Sequence, residues 1–423
     1  MAKLVGKGGL LCEHQRAPNR AHHRSTTARG RPLARQAPPG PPGPNRADRV
    51  MNAYLGIFAT ALLGAAALVA SQRWHGHLSL DHANGVQHHH STPTPRIGGL
   101  AIACGLLAAW ALAEPDVRAL LGPMLLAGIP AFAFGLAEDL TKEVRVLVRL
   151  LATMASGVLA WYLTGVAMQH TGFVPLDWLL TFTPFAVMFT AFAVGGVANA
   201  VNIIDGFHGL AAGSVAIMLG AVGLMALNVG DAPLASVCFG VAVCALGFGV
   251  VNWPLGKLFL GDGGAYLLGF CLAWVAVLLP MRNQQLNAWA TILVCSAPVL
   301  EVGFSVRRRH KRVGHHPGQP DKVHMHHLVH RRIVCKLFPQ THATWRNSLT
   351  SPPCWLGAAL PAAWAVVFAQ NTPMLMAGLA TATLVYAAVY ARLTQFRWCF
   401  SAWTLRPRIA QPAQFPSTNN MPL

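Results

Sequence analysis

The chain reads as an all-α, polytopic integral membrane protein with about eleven transmembrane helices. Three observations predict this. Of its 423 residues 54% are apolar and only 11% charged, where a soluble domain carries roughly 25% charged residues. Apolar stretches of about 16–20 residues recur, long enough to cross a hydrocarbon core of about 30 Å. The Lys and Arg residues between these stretches fall almost entirely on alternate connections. Such a composition excludes a soluble enzyme, a disordered protein and a secreted disulfide scaffold. The nine cysteines are scattered without a CxxC pair, which reads as reduced and structural.

Residues 1–50 are Arg-, Pro- and Gly-rich with few long apolar side chains. A segment of this kind cannot bury enough surface to offset its ordering entropy, so a disordered basic tail is expected. Met51 then opens MNAYLGIFATALLGAAALVA and is read as the translation start, with 1–50 upstream of it. Spans are expected near 52–70, 98–113, 119–137, 147–164, 179–198, 211–228, 233–251, 264–280, 288–305, 355–370 and 374–391. Residues 51–395 would form the membrane body and 396–423 a cytoplasmic tail.

Connections 71–97, 138–146, 199–210, 252–263 and 306–354, with the chain end, share one face. Counting Arg149, that face carries 20 of the 32 Lys and Arg residues, and the opposite face only Arg118 and Arg282. The positive-inside rule makes the rich face cytoplasmic. The net charge of +18 is then topological, and no nucleic-acid partner is expected.

The acids sort the same way. Eight of 14, Asp81, Glu138, Asp139, Glu143, Asp205, Asp262, Glu301 and Asp321, lie on or beside the cytoplasmic face. Ionised groups at a membrane boundary are costly unless paired or metal-bound, and so mark candidate sites. In VANAVNIIDGFHGLAAG (197–213), Asn199, Asn202 and Asp205 recur on one helical face before a glycine-rich break. In VNWPLGKLFLGDGGAYLLGF (251–270), Asp262 sits among glycines at a helix start, beside Asn252 and Lys257. Free N–H groups there suit phosphate oxygens, and one carboxylate suits Mg²⁺ held together with substrate phosphates. The pair Glu138-Asp139 closes a span, and adjacent acids repel unless a cation or shared proton relieves them. The loop 306–354 carries His324, His326 and His327 beside Arg331 and Arg332, a basic lid over an anion rather than a zinc site. LDHAN, His90 and PTPRIGG (93–99) add Asp81, Asn84 and Arg96 on the same face.

Taken in order, LDHAN with PTPRIGG, GLAED, NAVNIIDGFHGLAAG, FLGDGG and PVLEVGFSVRRR with PDKVHMHH resemble the polyprenyl-phosphate N-acetylhexosamine-1-phosphate transferases, glycosyl transferase family 4. The resemblance runs from about Leu80 to Arg332, is nearest the polysaccharide-initiating branch, and matches the eleven-helix members. It departs from the family pattern at Glu138 and Glu301, where Asp is usual, and at His208, where a second Asp is common.

The resemblance implies attack by undecaprenyl phosphate on a UDP-N-acetylhexosamine. It implies catalytic roles for Glu138, Asp139, Asp205 and Asp262, with Asp262 and Asp205 holding Mg²⁺, or Mn²⁺ in its place. Asp139, helped by Glu138, would position or deprotonate the lipid phosphate. Asp81, Asn84, His90, Arg96, Asn199, Asn202, His208, Asn252, Lys257, His324, His326 and His327 would bind substrate. Implied partners are the UDP-sugar, the polyprenyl phosphate, the bilayer and a second copy in a homodimer, at the bacterial inner membrane. Two other readings stand beside it: the phospho-MurNAc-pentapeptide transferase of peptidoglycan synthesis, and a polytopic transporter. A transporter would place its polar groups near the bilayer midplane, not at one face.

Overall fold

A computed structural model describes residues 45–81, 93–310 and 323–395, and nearly all of them are helical. Helices α1 (Arg46–Ala70) and α2 (Gln72–Ser79) lead into a two-stranded antiparallel ribbon, β1 (Leu80–Asp81) with β2 (Thr94–Pro95). Then come α3 (Gly98–Leu112), α4 (Pro115–Thr141), α5 (Val146–Thr164), α6 (Val174–Leu180), α7 (Thr183–Ile204) and α8 (Leu210–Asn228). They are followed by α9 (Ala232–Asn252), α10 (Gly261–Arg282), α11 (Ala288–Val294) and α12 (Ser296–His310). Helix α13 (Met325–Val329) runs through a π-helical turn, His330–Val334, into α14 (Cys335–Leu337). Helices α15 (Ala343–Ser348), α16 (Ser351–Val367) and α17 (Thr372–Thr394) complete the described chain.

Every expected apolar stretch contains a helix, but not every one is a full-length crossing among the described residues. Among the described residues eight helices are long and apolar enough to span: α1, α4, α5, α7, α8, α9, α10 and α17. The ninth stretch is broken, with α11 and α12 meeting at 72°. Pro298 explains the break, because it has no N–H to offer the Val294 carbonyl and its ring crowds that turn. Helix α3 has 15 residues and α16 has 17. At 1.5 Å per residue both fall short of a core of about 30 Å.

The N-terminal boundary also moves. Helix α1 begins at Arg46, inside the stretch expected to be disordered, and places Asp48 in its first turn. Residues 1–44, the tail 396–423, Asn84, His90 and Asp321 lie outside the described residues.

Helix α10 organises the bundle. It is apolar all round, and every residue from Gly261 to Pro280 is buried, as expected of a central helix. Its neighbours include α4, α7, α3 and α8. At Gly135 a side chain would come within 2.7 Å of the Asp262 carbonyl, so α4 crosses the start of α10 with no room for a Cβ. Apolar side chains on the outer helices, such as Leu151 on α5, Leu360 on α16 and Leu384 on α17, are exposed. They suit contact with lipid. Because α10 is central, polar groups on its first turn are ringed by the ends of its neighbours.

Candidate active site

The first turn of α10 has N–H groups with no partner inside the helix. Asp139, near the end of α4, supplies one from outside: its carboxylate accepts the N–H of Asp262 at 2.8 Å and of Gly263 at 2.9 Å. Asp139 is only 1% exposed. An anion at a helix N-terminus is favoured by the helix dipole as well as by these bonds. Gly261, at φ +74°, makes the entry possible, since a side chain there would run into the Arg96 carbonyl and the Asp139 carboxylate.

Capped in this way, α10 presents the Asp262 side chain to three neighbouring segments. Oδ1 accepts a hydrogen bond from Asn202 Nδ2 at 3.0 Å and lies 3.4 Å from Arg96 Nη2. Oδ2 is paired with Arg149 on α5. Arg149 also lies 3.7 Å from Glu138 Oε1, and Arg96 lies 3.8 Å from Asp139. Arg96 is delivered by backbone pairing: Phe259 N–H bonds Pro95 O, Gly98 N–H bonds Phe259 O and Gly99 N–H bonds Leu260 O. The segment 95–99 therefore runs beside the entry to α10.

Asp205 follows α7 as its C-cap. No donor among the described residues bonds its carboxylate. Burial pushes it up to about 7; Arg96 opposes that rise and Asp262 adds to it. Glu138, Asp139, Asp205 and Asp262 thus share two guanidinium groups, so carboxyl groups outnumber basic ones. The hard carboxylate oxygens of Asp262 and Asp205 fit a divalent cation completed by water and phosphate. Among the described residues no group of three His, Cys, Asp or Glu residues forms a closed metal cage. A Mg²⁺ ion sharing substrate oxygens does not need one.

Several of the other candidates are bonded within the scaffold. Asn199 does not share the outlook of Asn202: its amide donates to Thr153 on α5 and to Gly195 O, both at 2.8 Å, and ties two helices together. Asn252 is buried and held by backbone at both ends, its oxygen accepting Gly209 N–H and its amide donating to Leu258 O at 2.7 Å. It braces the α7–α8 loop against the α9–α10 loop. His208 is buried against Phe259, with Nδ1 3.3 Å from Ser348 Oγ, while its backbone is held by Asn347 and Ser351. It latches the loop to α15 and α16. Lys257 is exposed and makes no side-chain contact with the cluster. Asp81 lies on β1, and Glu138 accepts Val144 N–H at 2.8 Å besides approaching Arg149.

His324, His326 and His327 are buried rather than spread as an open lid. The rings of His326 and His327 edge onto Phe207. His326 also packs against Gly206, next to Asp205. Arg149 is the residue that sequence reasoning missed. In sequence it reads as topological charge, although a lone Arg in the first turn of an otherwise apolar span is itself a signal.

A model of glycosyl transferase family 4 matches residues 121–280. That interval runs from α4 through α10 and contains Glu138, Asp139, Arg149, Asn202, Asp205 and Asp262. Over that interval the chain is similar to glycosyl transferase family 4. This is the family its ordered motifs resemble. An undecaprenyl-phosphate alpha-N-acetylglucosaminyl 1-phosphate transferase of Yersinia pestis is 26% identical over 285 residues, covering 66% of this chain and 75% of the relative. A decaprenyl-phosphate N-acetylglucosaminephosphotransferase of Mycobacterium leprae is 29% identical over 290 residues, covering 59% and 71%. Arg96, Glu301, His324, His326 and His327 lie outside the part matched by the family 4 model.

Proposed function

We propose that this membrane transferase moves N-acetylhexosamine 1-phosphate from a UDP-sugar, foremost UDP-N-acetylglucosamine, to undecaprenyl phosphate and releases UMP. The observation that carries the reading is the convergence of Asp262, Asn202, Asp205, Arg96 and Arg149 at one end of the bundle. An oxygen of the lipid phosphate forms a bond to the β-phosphorus of the donor. The bond from that phosphorus to the bridging oxygen breaks, and the electron pair leaves with UMP. Both reactants are anionic, so catalysis rests on charge neutralisation.

Asp262 and Asp205 would hold Mg²⁺, or Mn²⁺, which supplies Lewis-acid polarisation of phosphoryl oxygens. Arg149 and Arg96 keep the Asp262 carboxylate in place and add positive charge where the pyrophosphate must sit. Asn202 orients the same carboxylate from the side of α7. Asp139 acts through α10: by capping the helix it sets where Asp262 stands.

A cavity of about 370 Å³ opens between α8, α12, α13, α16 and α17, and its wall reaches Ile204, the residue before Asp205. Its wall is mostly apolar, with Leu210, Val329, Leu360 and Trp364, while His326 and Glu301 stand among the polar groups. It suits a stretch of prenyl chain whose phosphate reaches the polar end. The charge pattern of the loops supports a cytoplasmic site in a bacterial inner membrane, and a homodimer is the proposed assembly. The product would begin a lipid-linked polysaccharide such as O antigen, exopolysaccharide or cell-wall polymer.

The test is product formation by purified protein from undecaprenyl phosphate and a donor panel of UDP-N-acetylhexosamines and UDP-MurNAc-pentapeptide, with Mg²⁺ or EDTA. Lipid-linked N-acetylhexosamine that needs Mg²⁺ and disappears in Asp262→Asn is expected. Turnover of the pentapeptide donor alone would move the chain to the peptidoglycan reaction. No product from any donor by folded protein would overturn the proposal.

A further inference from the structure

Glu301 lies on α12, one turn beyond the break in the ninth span, and is 3% exposed. A buried carboxylate must be satisfied, and this one is satisfied by three partners from two segments. Its Oε1 is 2.8 Å from His324 Nδ1. Its Oε2 accepts the N–H of Met325 at 3.0 Å and the hydroxyl of Tyr386 on α17 at 2.8 Å. Glu301 therefore ties the start of α13 to α12 and α17. The His324 ring lies parallel to His326, with centroids 5.4 Å apart and planes within 7°. His326 in turn packs against Gly206, the residue after Asp205.

An ionised carboxylate only accepts hydrogen bonds. The nitrogen of His324 that faces Glu301 must therefore carry a proton, and the other nitrogen is free of that requirement. We propose that Glu301 is a positioning residue that holds His324 as the Nδ1–H tautomer, keeping Nε2 as an acceptor for a donor of the reaction, a substrate hydroxyl or the proton of the lipid phosphate. The inference rests on the transferase reading for its purpose, but its structural content does not. The logic is that of a carboxylate fixing the tautomer and ring orientation of a working imidazole.

The substitution Glu301→Gln separates tautomer control from mere packing. Its amide oxygen can still accept from Met325 N–H and the Tyr386 hydroxyl. Its NH₂ then faces His324 Nδ1 and must donate, which forces the proton onto Nε2. Tyr386→Phe removes one hydrogen bond to the carboxylate and leaves its charge, and Glu301→Asp keeps an acceptor-only group.

The experiment records nitrogen-15 histidine spectra of full-length protein in lipid nanodiscs, with His324→Gln subtracted to identify the His324 signals. Transfer kinetics are measured on the same samples. Neutral His324 is expected as Nδ1–H in the parent protein, in Tyr386→Phe and in Glu301→Asp, and as Nε2–H in Glu301→Gln. Turnover in Glu301→Gln should fall by at least about tenfold with KM for the donor little changed, and Glu301→Asp should recover part of it. A parent protein with the His324 proton on Nε2 overturns the proposal without any variant. So does an unchanged tautomer in Glu301→Gln, or a loss in Tyr386→Phe as deep as that in Glu301→Gln. If the parent protein makes no product from any donor, the transferase reading fails, while the spectra still decide what Glu301 does.

Discussion

Replacing Asp139 distinguishes a cap from a reacting group. Sequence alone makes Asp139 a candidate base, whereas the structure spends both its oxygens on the N–H groups of Asp262 and Gly263. In Asp139→Ala both N–H groups lose their acceptor in a buried setting, at about 1–3 kcal/mol each. Losing an anion at the helix N-terminus adds up to about 2 kcal/mol. Relief of repulsion between Asp139 and Asp262 and of the burial of a charge works the other way. The expected net loss is about 2–4 kcal/mol. Asp139→Asn keeps one acceptor oxygen and should lose about 1–3 kcal/mol. The assay pairs thermal unfolding in detergent, followed by tryptophan fluorescence, with Mg²⁺-dependent sugar-phosphate transfer. Both variants should unfold earlier, Asp139→Ala more so, and transfer should fall in the same order as Asp262 loses its placement. Asp139→Asn with an unchanged unfolding temperature and abolished transfer would refute the cap and put Asp139 in the chemistry.

Two further outcomes follow from the same site. Arg149→Met leaves Glu138 and Asp262 without their shared partner and should cost roughly 3 kcal/mol or more of stability and about 100-fold in transfer. Arg149→Lys should restore part of both, since an ammonium keeps the charge but not the planar fork; unfolding and turnover of the two variants check this. Gly261→Ala, at φ +74° and against the Arg96 carbonyl, should cost more than about 1–2 kcal/mol and reduce the monodisperse fraction on size-exclusion chromatography. Gly249→Ala on α9, where a Cβ meets nothing within 4 Å, should instead leave that fraction unchanged or raise it.

Composition and apolar run length were enough to place the helices, because a lipid environment demands long apolar segments with all backbone groups bonded internally. They did not yield the number of crossings. Pro298 splits one span, and α3 is short because Gly98 and Gly99 begin it on the backbone of Phe259 and Leu260. Both depend on contacts or local geometry that a count of apolar residues does not register.

The candidate site was legible in part. The residue types and their common face showed that Asp205, Asp262, Asn202 and Arg96 belong near one another. Spacing could not tell which polar side chains turn inward to hold the scaffold. Asn199 and Asn252 look like ligand-binding amides in sequence, yet their partners are Thr153, Gly195, Gly209 and Leu258. Asp139 looks like a base in sequence, while in the structure its carboxylate accepts the N–H groups of Asp262 and Gly263. Arg149 and Tyr386, each inside an apolar run, gain meaning only from the acids they meet.

By itself, then, the sequence determined that the chain is a helical membrane protein with its acids and bases gathered at one face, because hydropathy and charge are carried by residues one at a time. The tertiary structure alone decided which of those residues share an atom-to-atom contact. A hydrogen bond or ion pair extends over about 3–4 Å, and residues as far apart in the chain as Arg96, Arg149 and Asp262 come within that reach only after the helices have packed.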